Sequence, residues 1–171
     1  MAVRILIVDD HDIVRQGVRT ILRSRVDWEI CGEAENGIEA LVKIAVLKPD
    51  VVVLDLSMPQ KDGLAVATEL PRTGVNCKTL VLTMHNSVGT AAAIRKAGAQ
   101  GYVVKSHAAQ HLIPAIDTVL GGGVFFNVDP GWTRDEERRA EARTNERMSE
   151  KRVAHDPLET PGSSSRAADR S

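Results

Sequence analysis

Asp9, Asp10, Asp55, Thr83 and Lys105 carry side chains that could act together on a phosphoryl group. Each stands at or just past the carboxyl end of a short β-branched run: RILIV before Asp9, DVVVLDL around Asp55, TLVLT closing on Thr83 and GYVVK closing on Lys105. If those runs form one parallel sheet, their ends share an edge, and three carboxylates, a hydroxyl and an ammonium converge there. Carboxylates gathered this closely repel and raise one another's pKa unless a cation holds them. Hard oxygen ligands with room for water suit Mg²⁺. A carboxylate beside such an ion, with a lysine and a hydroxyl at hand, is a phosphoryl acceptor: metal and lysine neutralise the transferring oxygens while the carboxylate attacks in line. Any single Asp after a strand is more often a cap or turn residue. The joint occurrence is what argues for chemistry.

The elements that must position these residues are legible in the hydrophobic pattern. Residues 4–8, 28–34, 50–56, 79–83 and 101–105 read as five strands, the third and fourth almost wholly apolar, as central parallel strands buried on both faces are. Amphipathic stretches lie between them. Ile13, Val14, Gly17, Val18, Ile21 and Leu22 share one face at helical spacing, and Ile38, Leu41, Val42 and Ala45 share another. Val88 to Gly98 ends on a glycine stop, and Ala108 to Leu120 precedes the glycine run 121–123. Right-handed βα crossovers then predict an α/β fold with a doubly wound, five-stranded parallel sheet whose site lies at the carboxyl edge.

Composition narrows the function classes. The 171 residues are 43% hydrophobic and 26% charged, a globular balance. A charge of −1, from 22 basic and 23 acidic residues, gives no overall attraction to DNA or anionic membrane. The aromatics are confined to Trp28, Tyr102, Phe125, Phe126 and Trp132, too few for a base-stacking surface. Cys31 and Cys77 fit neither a CxxC pair nor a metal spacing, and no apolar run approaches membrane-spanning length. A cytoplasmic protein with no membrane partner is the expectation. The pattern divides the chain into a 1–127 domain and a 128–171 tail, charged and small-residue rich, expected to be disordered.

The motifs ILIVDD, VVVLDLSMPQKDG, VLT and AGAQGYVVKS resemble those of a two-component response regulator receiver domain, and HDIVRQGVR, TMH and AGAQGYVVK are similar to its NarL/FixJ-type subfamily. That resemblance implies a flavodoxin-like receiver with strand order 2-1-3-4-5. It implies that Asp55 accepts a phosphoryl group from a sensor histidine kinase, and that Mg²⁺ is held by Asp10, Asp55 and the Ser57 backbone carbonyl, with Asp9 helping through water. Lys105 would pair with the phosphoryl group, and Thr83 would hydrogen-bond it. Tyr102 takes the aromatic switch position, turning inward as Thr83 moves and remodelling the helix 4–strand 5–helix 5 surface that the family uses for homodimers or heterodimers. Kinase specificity would lie on helix 1 near Asp12 to Arg23 and in the neighbouring strand 5 loop. His85 and Ser57 would line the path of attacking water.

Further residues have plainer readings. Pro59 and Gly63 shape the loop after Asp55, Gly63 by taking backbone angles other residues avoid. His11 reads as a helix-start residue, and His107 with His111, lacking carboxylate partners, does not make a metal site. Pro114 should kink the last helix and so disturb a dimer face there. Met84 is a bulky residue beside the pocket. NarL/FixJ-type proteins carry a LuxR-type helix-turn-helix domain, and residues 129–171 lack the apolar periodicity for one. The expectation is therefore a signalling receiver without DNA binding of its own; the alternative is a DNA-binding transcriptional regulator whose output domain is truncated or degenerate here, a shifted reading frame among the causes. Enzyme readings fare worse. Asp55-Leu56-Ser57 is not the DxDxT of haloacid-dehalogenase-type phosphatases, Asp9-Asp10 would repel a flavin phosphate, and a P-loop is absent.

Overall fold

The computed structural model describes residues 2–84 and 87–126. His85 and the 128–171 tail therefore lie outside the described residues. Strands and helices alternate: β1 (Val3–Val8), α1 (Asp12–Leu22), β2 (Trp28–Ala34), α2 (Gly37–Leu47), β3 (Val51–Asp55), α3 (Gly63–Glu69), β4 (Lys78–Thr83), α4 (Val88–Lys96), β5 (Gly101–Val104), α5 (Ala108–Leu120) and β6 (Phe125–Phe126). The order across the sheet is β2-β1-β3-β4-β5-β6, and every pairing is parallel. β3 is buried throughout and β4 nearly so, which is why their sequences show no polar alternation.

One face of the sheet packs Ile5, Ile7, Val53, Leu80 and Leu82 against Val18 and Leu22 of α1 and Leu112 and Ile116 of α5. The other packs Leu6, Val8, Val52 and Leu54 against Ala40, Ile44 and Val66 of α2 and α3. A smaller cluster under α4 joins Val81, Ala91, Ile94, Ala99 and Tyr102. Helix starts follow local chemistry. The Asn36 side chain accepts from Glu39 N–H at 2.9 Å while Glu39 accepts from Glu35 N–H at 2.9 Å, and the Asp62 and Ser87 side chains accept from the Ala65 and Thr90 amides at the starts of α3 and α4. Gly98, at φ 90°, closes α4 in the left-handed conformation.

Five expectations change, the first in α1, where Ile13 and Gly17 are exposed and Arg15, Val18 and Leu22 form the buried set. Among the described residues the sheet has six strands rather than five, because Phe125–Phe126 adds a short parallel strand to β5. Gly101 permits that approach: a Cβ there would stand 2.4 Å from the Phe125 carbonyl oxygen. In α2 the buried residues are Gly37, Ala40 and Ile44, whereas Ile38 and Val42 are 54% and 60% exposed. A helix apolar nearly all round does not select its own inner face. The contact of Gly37 with the Lys61 backbone does, since a Cβ there would lie 2.5 Å from the Lys61 carbonyl oxygen. α5 runs unbroken through Pro114, which is exposed, as is Gln110, so water can serve the carbonyl left without an amide. Gly63 has no positive φ. Its requirement is space, since a Cβ there would lie 2.0 Å from the Asp55 carbonyl oxygen.

Candidate functional site

The carboxyl ends of β1, β3, β4 and β5 meet at one edge, and Lys105, the first residue after β5, reaches back across it. Its Nζ stands 2.6 Å from Asp9 Oδ2 and 3.0 Å from Asp55 Oδ1. The Lys105 side chain is 10% exposed and both carboxylates 3%. Asp10, the next residue along from Asp9, is half-buried, and His11 Nδ1 lies 2.9 Å from its Oδ1 and 3.3 Å from Asp9 Oδ1. The His11 amide also donates to Asp9 Oδ1 at 2.8 Å. His11 is indeed the residue that opens α1, yet its ring turns to the carboxylates and makes no cap to the helix.

Two observations show that this edge is short of positive charge. Lys105 is the ammonium between Asp9 and Asp55, with Asp10 alongside. Among the described residues, Asp55 Oδ2, Asp9 Oδ2 and Asp10 Oδ1 are buried oxygens without a hydrogen-bond partner. Lys105 and His11 nitrogens do lie within ion-pair range of the latter two, so these are charge contacts without the direction of a hydrogen bond. For Asp55 the close Lys105 contact is to Oδ1, and Oδ2 is left without a hydrogen bond. Burial pushes the Asp55 carboxyl above the usual carboxylate range; Lys105 pulls it back only in part, and Asp9 pushes the same way as burial. For Lys105 burial acts to lower the pKa, but Asp9 and Asp55 together outweigh it and the ammonium is held charged above its ordinary range.

Such a donor set fits a hard divalent cation. Asp9, Asp10 and His11 offer ligand atoms that all lie within 4.8 Å of one another, and the bare Asp55 oxygen borders the same edge. Thr83 is 1% exposed at the end of β4, in register with Val104. Ser57 is exposed in the loop two residues past Asp55. Tyr102 is fully buried, its ring already inward. Met84 is 70% exposed, so its side chain lies out in solvent. His107 and His111 stack with ring centroids 5.8 Å apart, away from any carboxylate cluster among the described residues.

Two contributors escaped the sequence. Phe126 lies against Tyr102, and Arg15 is buried beneath the β1–α1 turn with its guanidinium on the Asp9 carbonyl. The first sits in a two-residue strand with no period to detect. The second occupies a helical position where an arginine would be assigned to solvent.

The chain matches the family model of the response regulator receiver domain over residues 5–117. It is 36% identical over 127 residues to the response regulator UvrY of Escherichia coli, covering 74% of this chain and 58% of that protein. It is 36% identical over 126 residues to the oxygen regulatory protein NreC of Staphylococcus epidermidis, covering 73% and 58%. The chain thus spans somewhat over half the length of the curated relatives it matches. Among solved structures, a LuxR-family two-component response regulator from Aurantimonas superposes with a TM-score of 0.70 at 30% identity, covering 90% of this chain and 99% of that one. The isolated REC domain of RcsB from Salmonella enterica, solved with the phosphomimetic BeF3−, superposes with a TM-score of 0.69 at 26% identity, covering 82% and 99%.

Proposed function

The chain belongs to the response regulator receiver domain family, and from that premise we propose that Asp55 is the phosphoacceptor of a two-component phosphorelay, charged by a sensor histidine kinase. The observation that carries this reading is the pairing of Asp55. One oxygen faces Lys105, while the other is buried without a hydrogen-bond partner among the described residues and is available to attack.

The chemistry follows from that geometry. Asp55 Oδ2 attacks the phosphorus of a phosphohistidine, the new O–P bond forms as the P–N bond breaks, and the electron pair leaves with the imidazole nitrogen. Lys105 then turns from the carboxylate to a phosphoryl oxygen, and the Thr83 hydroxyl donates to another. Asp10, Asp55 and the Ser57 carbonyl would hold Mg²⁺, with Asp9 bonded through water. When bound, the ion supplies neutralising charge to the oxygens of the group in transit. Dephosphorylation by water completes the cycle, so the protein works as a switch whose chemistry is directed at its own Asp55. Tyr102 and Thr83 relay the state of Asp55 to the α4–β5–α5 surface, the proposed face for a second receiver. No DNA contact is assigned to the described residues, since the edge that carries their chemistry is acidic.

The test is phosphorylation of the full chain with Mg²⁺ and a small acyl-phosphate donor, read by intact mass and by mapping the adduct. A single phosphoryl adduct on Asp55, absent from Asp55→Asn, is expected. Undiminished labelling of the Asn variant would remove the assignment.

A further inference from the structure

The buried arginine of α1 touches the metal-binding turn without being one of its ligands, and nothing in the proposed chemistry uses it. Arg15 is 8% exposed on its side chain, and its three nitrogens each have a partner. Nε donates to Glu33 Oε2 at 3.0 Å, Nη2 to Glu35 Oε1 at 3.0 Å and Asp12 Oδ1 at 3.2 Å, and Nη1 to the Asp9 carbonyl oxygen at 2.8 Å. Arg19, one turn on, takes the other oxygen of Glu33 at 3.0 Å. Contacts with three carboxylates would satisfy a structural arginine. The contact with the Asp9 carbonyl does something more, because Asp9 and Asp10 are joined by that peptide unit.

The Asp9 amide donates to the Ala34 carbonyl at 3.1 Å, the last rung toward β2. Arg15 holds the opposite side of the residue. Together they fix the rotation of the peptide between Asp9 and Asp10 and hence the direction in which the Asp10 carboxylate leaves the turn. Among the described residues β2 is an edge strand, with a neighbour on one side. The Arg15 fork on Glu33 and Glu35 therefore braces the β2 end against which the turn is set. We infer that Arg15 is a positioning residue for divalent-cation binding: it orients the Asp9–Asp10 peptide and sets the affinity of the acidic edge for Mg²⁺. This rests on the proposed metal site and adds a determinant to it.

The inference has a sign that simple electrostatics would reverse. A guanidinium near the site repels a cation, so its removal, were charge the whole effect, would tighten Mg²⁺ binding. Loss of positioning weakens it, and partners of this kind are typically worth roughly 10- to 100-fold in metal affinity.

The experiment is calorimetric titration of Mg²⁺ into the full chain for wild type, Arg15→Met, Arg15→Lys and Asp10→Asn, with circular dichroism to check the fold. Arg15→Met is expected to raise the Mg²⁺ Kd at least 10-fold. Arg15→Lys keeps the charge but cannot span Asp9, Glu33 and Glu35 at once, so its Kd is expected several-fold above wild type. If the Met variant does not fold, the Lys variant decides. An unchanged or tighter Kd in the folded variants overturns the inference while the metal site stands. A wild type that binds no Mg²⁺, indistinguishable from Asp10→Asn, overturns the metal site and the inference together.

Discussion

The ring of Tyr102 meets the ring of Phe126 edge-on, with centroids 5.8 Å apart and planes inclined at 63°. The Arg95 guanidinium of α4 lies 4.6 Å from the centroid of the same Phe126 ring, on the α4 side of Tyr102. Tyr102 thus has Phe126 for a lid, through the pairing of Tyr102 with Phe126 in the β5–β6 ladder. The inward position of the Tyr102 ring is stabilised by the segment at which the described residues end, so any outward turn of that ring would require the lid to yield.

Removing the lid should show in stability. Phe126→Ala deletes a half-buried aromatic and its edge contact, for an expected loss of about 2 kcal/mol, below the range for a fully buried Phe. Urea unfolding measures it. An unchanged midpoint would mean that β6 adds nothing to the packing of Tyr102.

Two glycines should respond in opposite directions. Gly63→Ala drives a methyl group to 2.0 Å from the Asp55 carbonyl oxygen, so the loop after Asp55 must move, at a cost of about 3 kcal/mol. Gly17→Ala, in α1 with nothing within 4 Å of the new methyl, should stabilise by about 0.5–1 kcal/mol. Paired urea melts decide it, and equal shifts would sink the argument.

That contrast also marks what the sequence could carry. Strand ends and the residues beyond them were readable, because short β-branched runs such as VVVL fit central parallel strands, and the residues that could do chemistry stand just past them. The need for glycine at 63 was visible, but its cause was not: a close approach to a residue eight positions earlier leaves no local pattern, whereas a left-handed turn does. The inner face of α2 was likewise hidden, since GIEALVKIAVL is apolar on several sides and only packing against the Lys61 backbone chooses among them. α3, at seven residues, is too short to show a period. Arg15 reads as a surface residue until Glu33 and Glu35 arrive from β2 to receive it.

Lys105→Met should be costly and pH-dependent. Without the ammonium, Asp9 and Asp55 are buried carboxylates facing each other, and breaking such a pair costs about 3 kcal/mol or more at neutral pH. Asp55, already pushed up by burial, then takes a proton more readily in the folded than the unfolded chain, so the deficit should shrink as pH falls. In the wild type the raised Lys105 pKa has the complementary sign. Its contribution is complete below about pH 10.4 and is lost as pH climbs through the folded value. Melting across pH 4–11 in metal-free buffer, with a deficit that does not vary, would exclude this account of the site.

Asp55→Asn should reverse its rank with metal. In metal-free buffer burial works against the charge of the wild-type carboxylate, whereas asparagine is uncharged and still offers Lys105 an oxygen. The variant is therefore expected to melt higher. A carboxyl whose folded pKa is raised stabilises the fold fully below its unfolded pKa and loses that contribution as pH rises through the folded value, so the gap should close on acidification. Mg²⁺ at 100 times its Kd adds about 2.7 kcal/mol to the wild type. The variant, one carboxylate short, gains less, and the order inverts. A wild type that melts higher without metal, or equal gains from Mg²⁺ in both proteins, would show that the bare Asp55 oxygen neither strains the fold nor faces the cation.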